Sequence, residues 1–198
     1  VAAEENADLI AMATHGRGGI RRFLLGSVAD RVVRHANAPV LLVRSIGSRI
    51  ESPQELAGYE RILVPLDGSE LANAVLPYAR GLAVCTFAAV TLLQVVPQPE
   101  GGPADDLTAW VERGAEFAKD HLNAVASVLA ESGVQVEVRV VVGRPADAIL
   151  DTADDCGADL IAMATHGYGG IRRFLMGSVA DRVMRHARVP VLLVRPHP

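Results

Sequence analysis

Short apolar runs alternate along this chain with segments of helical period. Arg61 to Leu66 predicts a short buried strand, and Leu71, Val75, Tyr78 and Leu82 then recur at spacings of 4, 3 and 4, which predicts a helix. Ala88 to Val96 predicts a second strand. A Pro/Gly-rich loop from Pro97 to Pro103 leads into a long helix whose inner face is expected to carry Leu107, Trp110, Val111, Ala118, Leu122, Val125 and Leu129. Val134, Val136, Val138 and Val140 alternate with Gln135, Glu137 and Arg139, the period-2 pattern of a strand wet on one side and therefore at a sheet edge. Pro145 opens a third helix with Ala146, Ile149, Leu150 and Ala153 inward. Leu160 to Ala164 is a fourth strand, Ser178 to Ala187 a fourth helix and Val189 to Val194 a fifth strand. Alternating βαβ units imply right-handed crossovers and a parallel sheet covered by helices on both faces.

The chain also repeats itself. Residues 1 to 44 align without a gap on 152 to 195 with 34 identities in 44. About a hundred residues precede the second copy and none precede the first, so residues 1–44 read as the last part of a domain lacking its front. Residue 1 is Val and not Met, consistent with a missing start. Residues 45–58 carry Gly, Ser and Pro without sustained periodicity and read as a linker. Residues 59–198 then form one complete domain. The last strand is apolar throughout, and an uncovered apolar edge invites aggregation. Val189 to Val194 is therefore expected to pair with Ala38 to Val43 or with the same strand of a second chain; cover by a helix or loop of its own domain is the alternative.

Composition narrows the function classes. Nineteen Lys plus Arg against 23 Asp plus Glu give a net charge of −4, which argues against a protein built to grip nucleic acid. Aromatics make up 4% of the chain, too few for a base-stacking platform. Charged residues, Gly or Pro interrupt every apolar run before it could span a bilayer. The two cysteines, Cys85 and Cys156, form neither a disulfide framework nor a metal motif, and both read as small packing residues near helix ends. With no signal or transit peptide visible, a reducing cytoplasm is the expected location.

Open parallel sheets bind ligands beyond the carboxyl ends of their strands, where strand order reverses. After the first strand the chain reads Val64-Pro65-Leu66-Asp67-Gly68-Ser69-Glu70. Pro65 lacks an N–H and marks the end of the ladder. From its capping-box spacing to Glu70, Asp67 reads first as a helix N-cap; a carboxylate aimed at the hydroxyls or exocyclic amine of a nucleoside is the other reading, and both roles can coexist at one helix mouth. After the fourth strand comes Ala164-Thr165-His166-Gly167-Tyr168-Gly169-Gly170, followed at Gly177-Ser178 by a helix start. Glycines allow close backbone approach, and free N–H groups at a helix start favour phosphate. A tight turn with Ser178 and Asp181 as a capping box is the structural alternative. No Walker loop and no GxGxxG occurs.

Residues 165 to 188 hold five arginines against one aspartate, and residues 14 to 37 repeat that +4, leaving −12 for the rest. Such a local basic island suits polyphosphate better than a duplex. For Arg182, Arg185 and Arg188 pairing with acids on neighbouring surfaces is the preferred reading. His166 and its repeat His15 lack a nucleophile and orienting acid nearby and read as turn residues.

The segments Ile62 to Ser69, Asp159 to Gly167, Gly177-Ser178 and Pro190 to Val194 together resemble the universal stress protein family across 59–195, and 1–44 resembles the final third of a second such domain. The resemblance implies a Rossmann-like, adenine nucleotide alpha hydrolase-like fold: a five-stranded parallel sheet of order 3-2-1-4-5, dimerising through its last strands. In one branch of that family it implies ATP binding, with or without magnesium. Carried onto this chain, Pro65, Asp67 and Val95 would meet adenine and ribose, and Gly167, Gly177 and Ser178 the phosphates. The branch's first motif glycine is Ala164 here and Ala13 in the partial copy. The expected function is a non-enzymatic, ATP-binding stress regulator acting through nucleotide occupancy and dimerisation, with turnover at most slow for want of a nameable general base. A nucleotide-free adaptor of the same fold is the alternative.

Overall fold

The computed structural model describes residues 7–13, 26–43, 58–98, 104–165 and 176–196, with side chains from Leu107 onward in the helix that begins at Ala104. Seven strands form one sheet: β1 (Ile10–Ala13), β2 (Val40–Val43), β3 (Arg61–Leu66), β4 (Ala89–Pro97), β5 (Val136–Gly143), β6 (Leu160–Ala164) and β7 (Val191–Val194). Six helices connect or follow them: α1 (Ser27–His35), α2 (Glu70–Asn73), α3 (Leu76–Thr86), α4 (Ala104–Ala130), α5 (Pro145–Asp155) and α6 (Ser178–His186). The strand order is β1-β2-β7-β6-β3-β4-β5.

This corrects the expected five-stranded sheet. The strands of 61–194 follow one another as β5-β4-β3-β6-β7, all parallel, and β2 and β1 of the partial copy extend that run. The joint is antiparallel, with Val40 opposite Leu193, Leu41 opposite Leu192 and Leu42 opposite Val191. Its cause is visible in composition. Both strands read Val-Leu-Leu-Val, and pairing them covers two apolar edges at once. Leu42 and Leu193 are each 2% exposed, and burying a leucine to that degree contributes roughly 1.5–3 kcal/mol.

The two faces of the sheet carry separate cores. Leu63, Leu93, Ile161, Met163 and Leu193 pack with α1, α5 and α6. Ile62, Val64, Leu92, Leu160 and Leu192 pack on the opposite face with α2, α3 and α4. Alternation along each strand divides them, as the pleat requires. β5 is a terminal strand, as its period-2 pattern indicated, and Glu137 is exposed.

Several local readings need correction. The single helix expected over 71–82 is two, α2 and α3, because Pro77 in the first turn of α3 has no N–H to continue a preceding helix. Ala118, Leu122 and Leu129 are buried under α4 as expected, but Trp110 is 43% exposed. The final strand begins at Val191 and not Val189. Cys85 is exposed, whereas Cys156 is half-buried at the end of α5 and packs against the core. Among the described residues no helix is long and apolar enough to cross a membrane. The proposed linker, all but Gly58, and the loop after Gln98 lie outside the described residues.

Candidate functional site at the strand-order reversal

From β3 the chain steps outward to β4 and then β5, whereas from β6 it steps the other way to β7. The reversal therefore falls between β3 and β6, which are neighbours. Their register covers Ile62 with Leu160 and Leu63 with Ile161, both at the amino-terminal ends. By contrast β3 and β4 stay paired from Arg61–Ala89 to Leu66–Gln94. The helix after β3 packs on one face and the helix after β6 on the other, the arrangement in which open parallel sheets take ligands in a crevice at the carboxyl ends of their strands.

One wall is the turn after β3. Pro65 is buried and in register with Leu93. One step beyond the last pair, Leu66 with Gln94, come Asp67 and Val95, which places both at the same edge. Asp67 is exposed, and its Oδ1 accepts from the Ser69 amide at 3.0 Å and the Ser69 hydroxyl at 2.6 Å. Ser69, not Asp67, is the N-cap of α2, its hydroxyl accepting from the Ala72 amide at 3.1 Å. Asp67 thus fixes the cap from outside the helix, which corrects the capping-box reading. Gly68 has φ 82, left-handed backbone that only glycine adopts without strain, so the turn is specified by sequence.

The other wall is the start of α6. Ala164 ends β6 opposite Val194, and the Thr165 amide donates to the Val194 carbonyl at 2.9 Å. The Gly177 amide donates back to the Thr165 carbonyl, also at 2.9 Å. Thr165 and Gly177, at the end of β6 and the start of α6, are therefore tied directly to each other. Gly177 is the N-cap of α6 and supplies no side-chain cap, while Ser178 is exposed in the first helical position. The Asp181 carboxylate is taken by Arg185 at 2.8 and 2.9 Å, so Ser178 and Asp181 form no capping box. Gly177 has φ −60, which any residue adopts; what glycine adds here is a missing Cβ above the first-turn amides.

Pro65, Asp67, Val95, Ala164, Gly177 and Ser178 all therefore lie at the carboxyl end of three adjacent strands, β4, β3 and β6, or in the loops leaving it. Gly167 lies outside the described residues, as do His166, His15, Arg172 and Arg173. The remaining arginines of the basic island are structural: Arg182 reaches Asp147 at 2.6 Å and Arg188 reaches Asp154 at 3.0 Å, both on α5. Arg185 is held above its ordinary range chiefly by its hydrogen bond to Asp181. The sequence reading passed over Gln94. It is 8% exposed in β4, opposite Leu66 where the pairing with β3 ends, with Oε1 unpartnered among the described residues, on the face opposite Val95. A polar residue inside the apolar run Ala88 to Val96 was the available signal.

The partial copy folds alike. Gly26 caps α1 with φ −59 and ψ 144, against −60 and 145 at Gly177. Arg34 holds Asp30 at 2.9 and 3.0 Å as Arg185 holds Asp181. It has no strands corresponding to β3 and β4 among the described residues, and hence no counterpart of Pro65, Asp67 or Val95.

The universal stress protein family matches residues 1–44 and 58–195. The chain belongs to that family. The universal stress protein Rv2005c of Mycobacterium tuberculosis is 31% identical over 212 residues, covering 98% of this chain and 64% of the relative. The chain thus spans less than two thirds of that relative's length. Among solved structures, the universal stress protein UspA from Lactobacillus plantarum superposes with a TM-score of 0.65 at 30% identity, covering 70% of this chain and 99% of its own. A universal stress protein in complex with cAMP matches with a TM-score of 0.50 at 26% identity, over 70% of this chain and 98% of its own.

Proposed function

We propose that this universal stress protein binds an adenine nucleotide, ATP with or without magnesium, in the crevice between β3 and β6, and reports its occupancy to partners as a stress regulator. The observation that carries this reading is the pairing of an exposed carboxylate, Asp67, with an α6 start that bears no side-chain cap, across a strand-order reversal. A carboxylate accepts from ribose hydroxyls or an adenine amine, and first-turn amides with the positive end of the helix dipole attract phosphate. The relative solved with cAMP supports a nucleotide as the ligand class. Asp67 and Val95 would flank the nucleoside, and Gly177 and Ser178 the phosphate tail. The reading is of a binder and not a catalyst: among the described residues at these strand ends, none is set as nucleophile or general base.

A second reading is a nucleotide-free adaptor of the same fold. Its motive is Ala164, which stands where the motif of the nucleotide-binding branch has glycine. Mass spectrometry of nucleotide released from the purified protein, then calorimetric titration with ATP and magnesium, separates the two. Co-purified adenine nucleotide or saturable binding supports the regulator, whereas no heat and no thermal shift at millimolar ATP supports the adaptor.

A further inference from the structure

Helix α4 carries a second apolar stripe that the core does not use. Its sheet-facing side is Ala118, Leu122 and Leu129, all at most 3% exposed. Trp110, Phe117 and Val128 are instead 43%, 66% and 57% exposed. They lie 7 and 18 residues apart from the first, so at about 100° per residue they fall within about 20° of one line along the helix. That line is roughly 100° away from the buried side and about 27 Å long. Ala124, also exposed, lies beside it. Single exposed apolar residues need no explanation, but a ridge with two aromatics does.

The residues beside the ridge say what fits it. Arg113 and Asp120 are exposed on the same flank, and neither belongs to an ion pair or hydrogen bond found on the described residues. They lie on either side of Phe117, four residues before it and three after. Trp110 and Ala124 are each seven residues from Phe117, one large and one small. Read in reverse about Phe117, the stretch from Trp110 to Ala124 is therefore its own complement: cation meets anion and a large side chain meets a small one.

We propose that α4 is an interface between two copies of this chain, packed antiparallel about a two-fold axis at Phe117. In that arrangement Phe117 meets Phe117 of the second copy at the centre, Trp110 lies over Ala124 of the second copy, and Arg113 pairs with Asp120 of the second copy on each side. A two-fold interface uses one patch twice, which self-complementarity about a single residue provides. Aromatic anchors at the centre and charged pairs at the rim are the usual division of energy and specificity. One helix per copy makes a small interface, so association is expected in the micromolar range. The seam between β2 and β7 lies inside one chain and is independent of this contact.

Sedimentation velocity over a series from micromolar to near-millimolar chain tests it. The wild type is expected to pass from monomer to dimer. Phe117→Glu, Arg113→Asp and Asp120→Arg should each shift that transition at least about tenfold upward, with unchanged circular dichroism because all three sites are exposed. The double reversal Arg113→Asp/Asp120→Arg should restore most of the wild-type dimer. A wild type that stays monomeric throughout, a dimer indifferent to Phe117→Glu, or a double variant no better than either single one would overturn the proposal.

Discussion

The Gly177 amide donates to the Thr165 carbonyl at 2.9 Å, and this one bond ties the start of α6 to the end of β6. It fixes where the helix's first-turn amides sit relative to the strand ends, and so sets one half of the proposed nucleotide crevice. Asp67 sets the other half through its two bonds to Ser69.

The two roles of that loop can be separated by mutation. Asp67→Ala should weaken ATP binding by about 1–3 kcal/mol if the carboxylate bonds the ligand. Ser69→Ala removes the α2 cap and should cost about 0.5–2 kcal/mol of folding stability while leaving ATP affinity within about threefold. Calorimetric titration beside urea denaturation reads both; equal affinity loss in the two variants would reduce Asp67 to a cap support.

Ala164 ends β6 at 8% exposure and points, by alternation, to the same face as Ala162, which packs with α2, α3 and α4. Its methyl is thus directed away from the face that carries α6. Ala164→Gly should leave ATP affinity within about twofold and cost about 1 kcal/mol of stability through added backbone freedom. A gain of tenfold or more in affinity would show instead that the methyl crowds the ligand.

Arg182 and Arg188 spend their charge on Asp147 and Asp154 of α5. These exposed pairs are each expected to contribute under about 1 kcal/mol. Arg182→Ala and Arg188→Ala should therefore change neither ATP affinity beyond about twofold nor the melting temperature by more than a few degrees. A large loss of affinity would return these arginines to the phosphate site.

Burial raises the Tyr59 hydroxyl above its ordinary pKa of 10.0, with the Asp159 carboxylate adding to the shift. The folded state therefore holds this proton more tightly than the unfolded chain. Its stabilising contribution is complete below the unfolded pKa and is lost as pH rises through the folded one. Stability should fall above about pH 10, and Tyr59→Phe should flatten that fall in denaturation curves across the alkaline range.

Much of this was legible in sequence because the signals were local. Ile62–Leu66, preceded by Arg61, and Leu160–Ala164 are uninterrupted apolar runs, and both became central strands with the expected limits. The all-apolar ending likewise foretold a covered edge, and β2 covers it. Trp110 was misplaced because a residue about 100° off the core line still satisfies a loose helical pattern over so long a helix. The division of α2 from α3 had its signal in Pro77, which outweighs continuous apolar spacing. Asp67 shares capping-box spacing with Glu70, yet the hydroxyl two residues on from Asp67 won the cap, and spacing alone does not arbitrate between two capable side chains. Seven strands in one sheet required knowing which way two identical edges would meet, a tertiary fact that neither copy encodes by itself.

Counting bound nucleotide per chain tests the central claim most directly. Calorimetric titration of this 198-residue chain with ATP and magnesium should give one site per chain, since residues 7–43 repeat the helix start but not the wall carrying Pro65, Asp67 and Val95. Absence of saturable binding at millimolar ATP, or binding that survives both Asp67→Ala and Gly177→Asp, would contradict it.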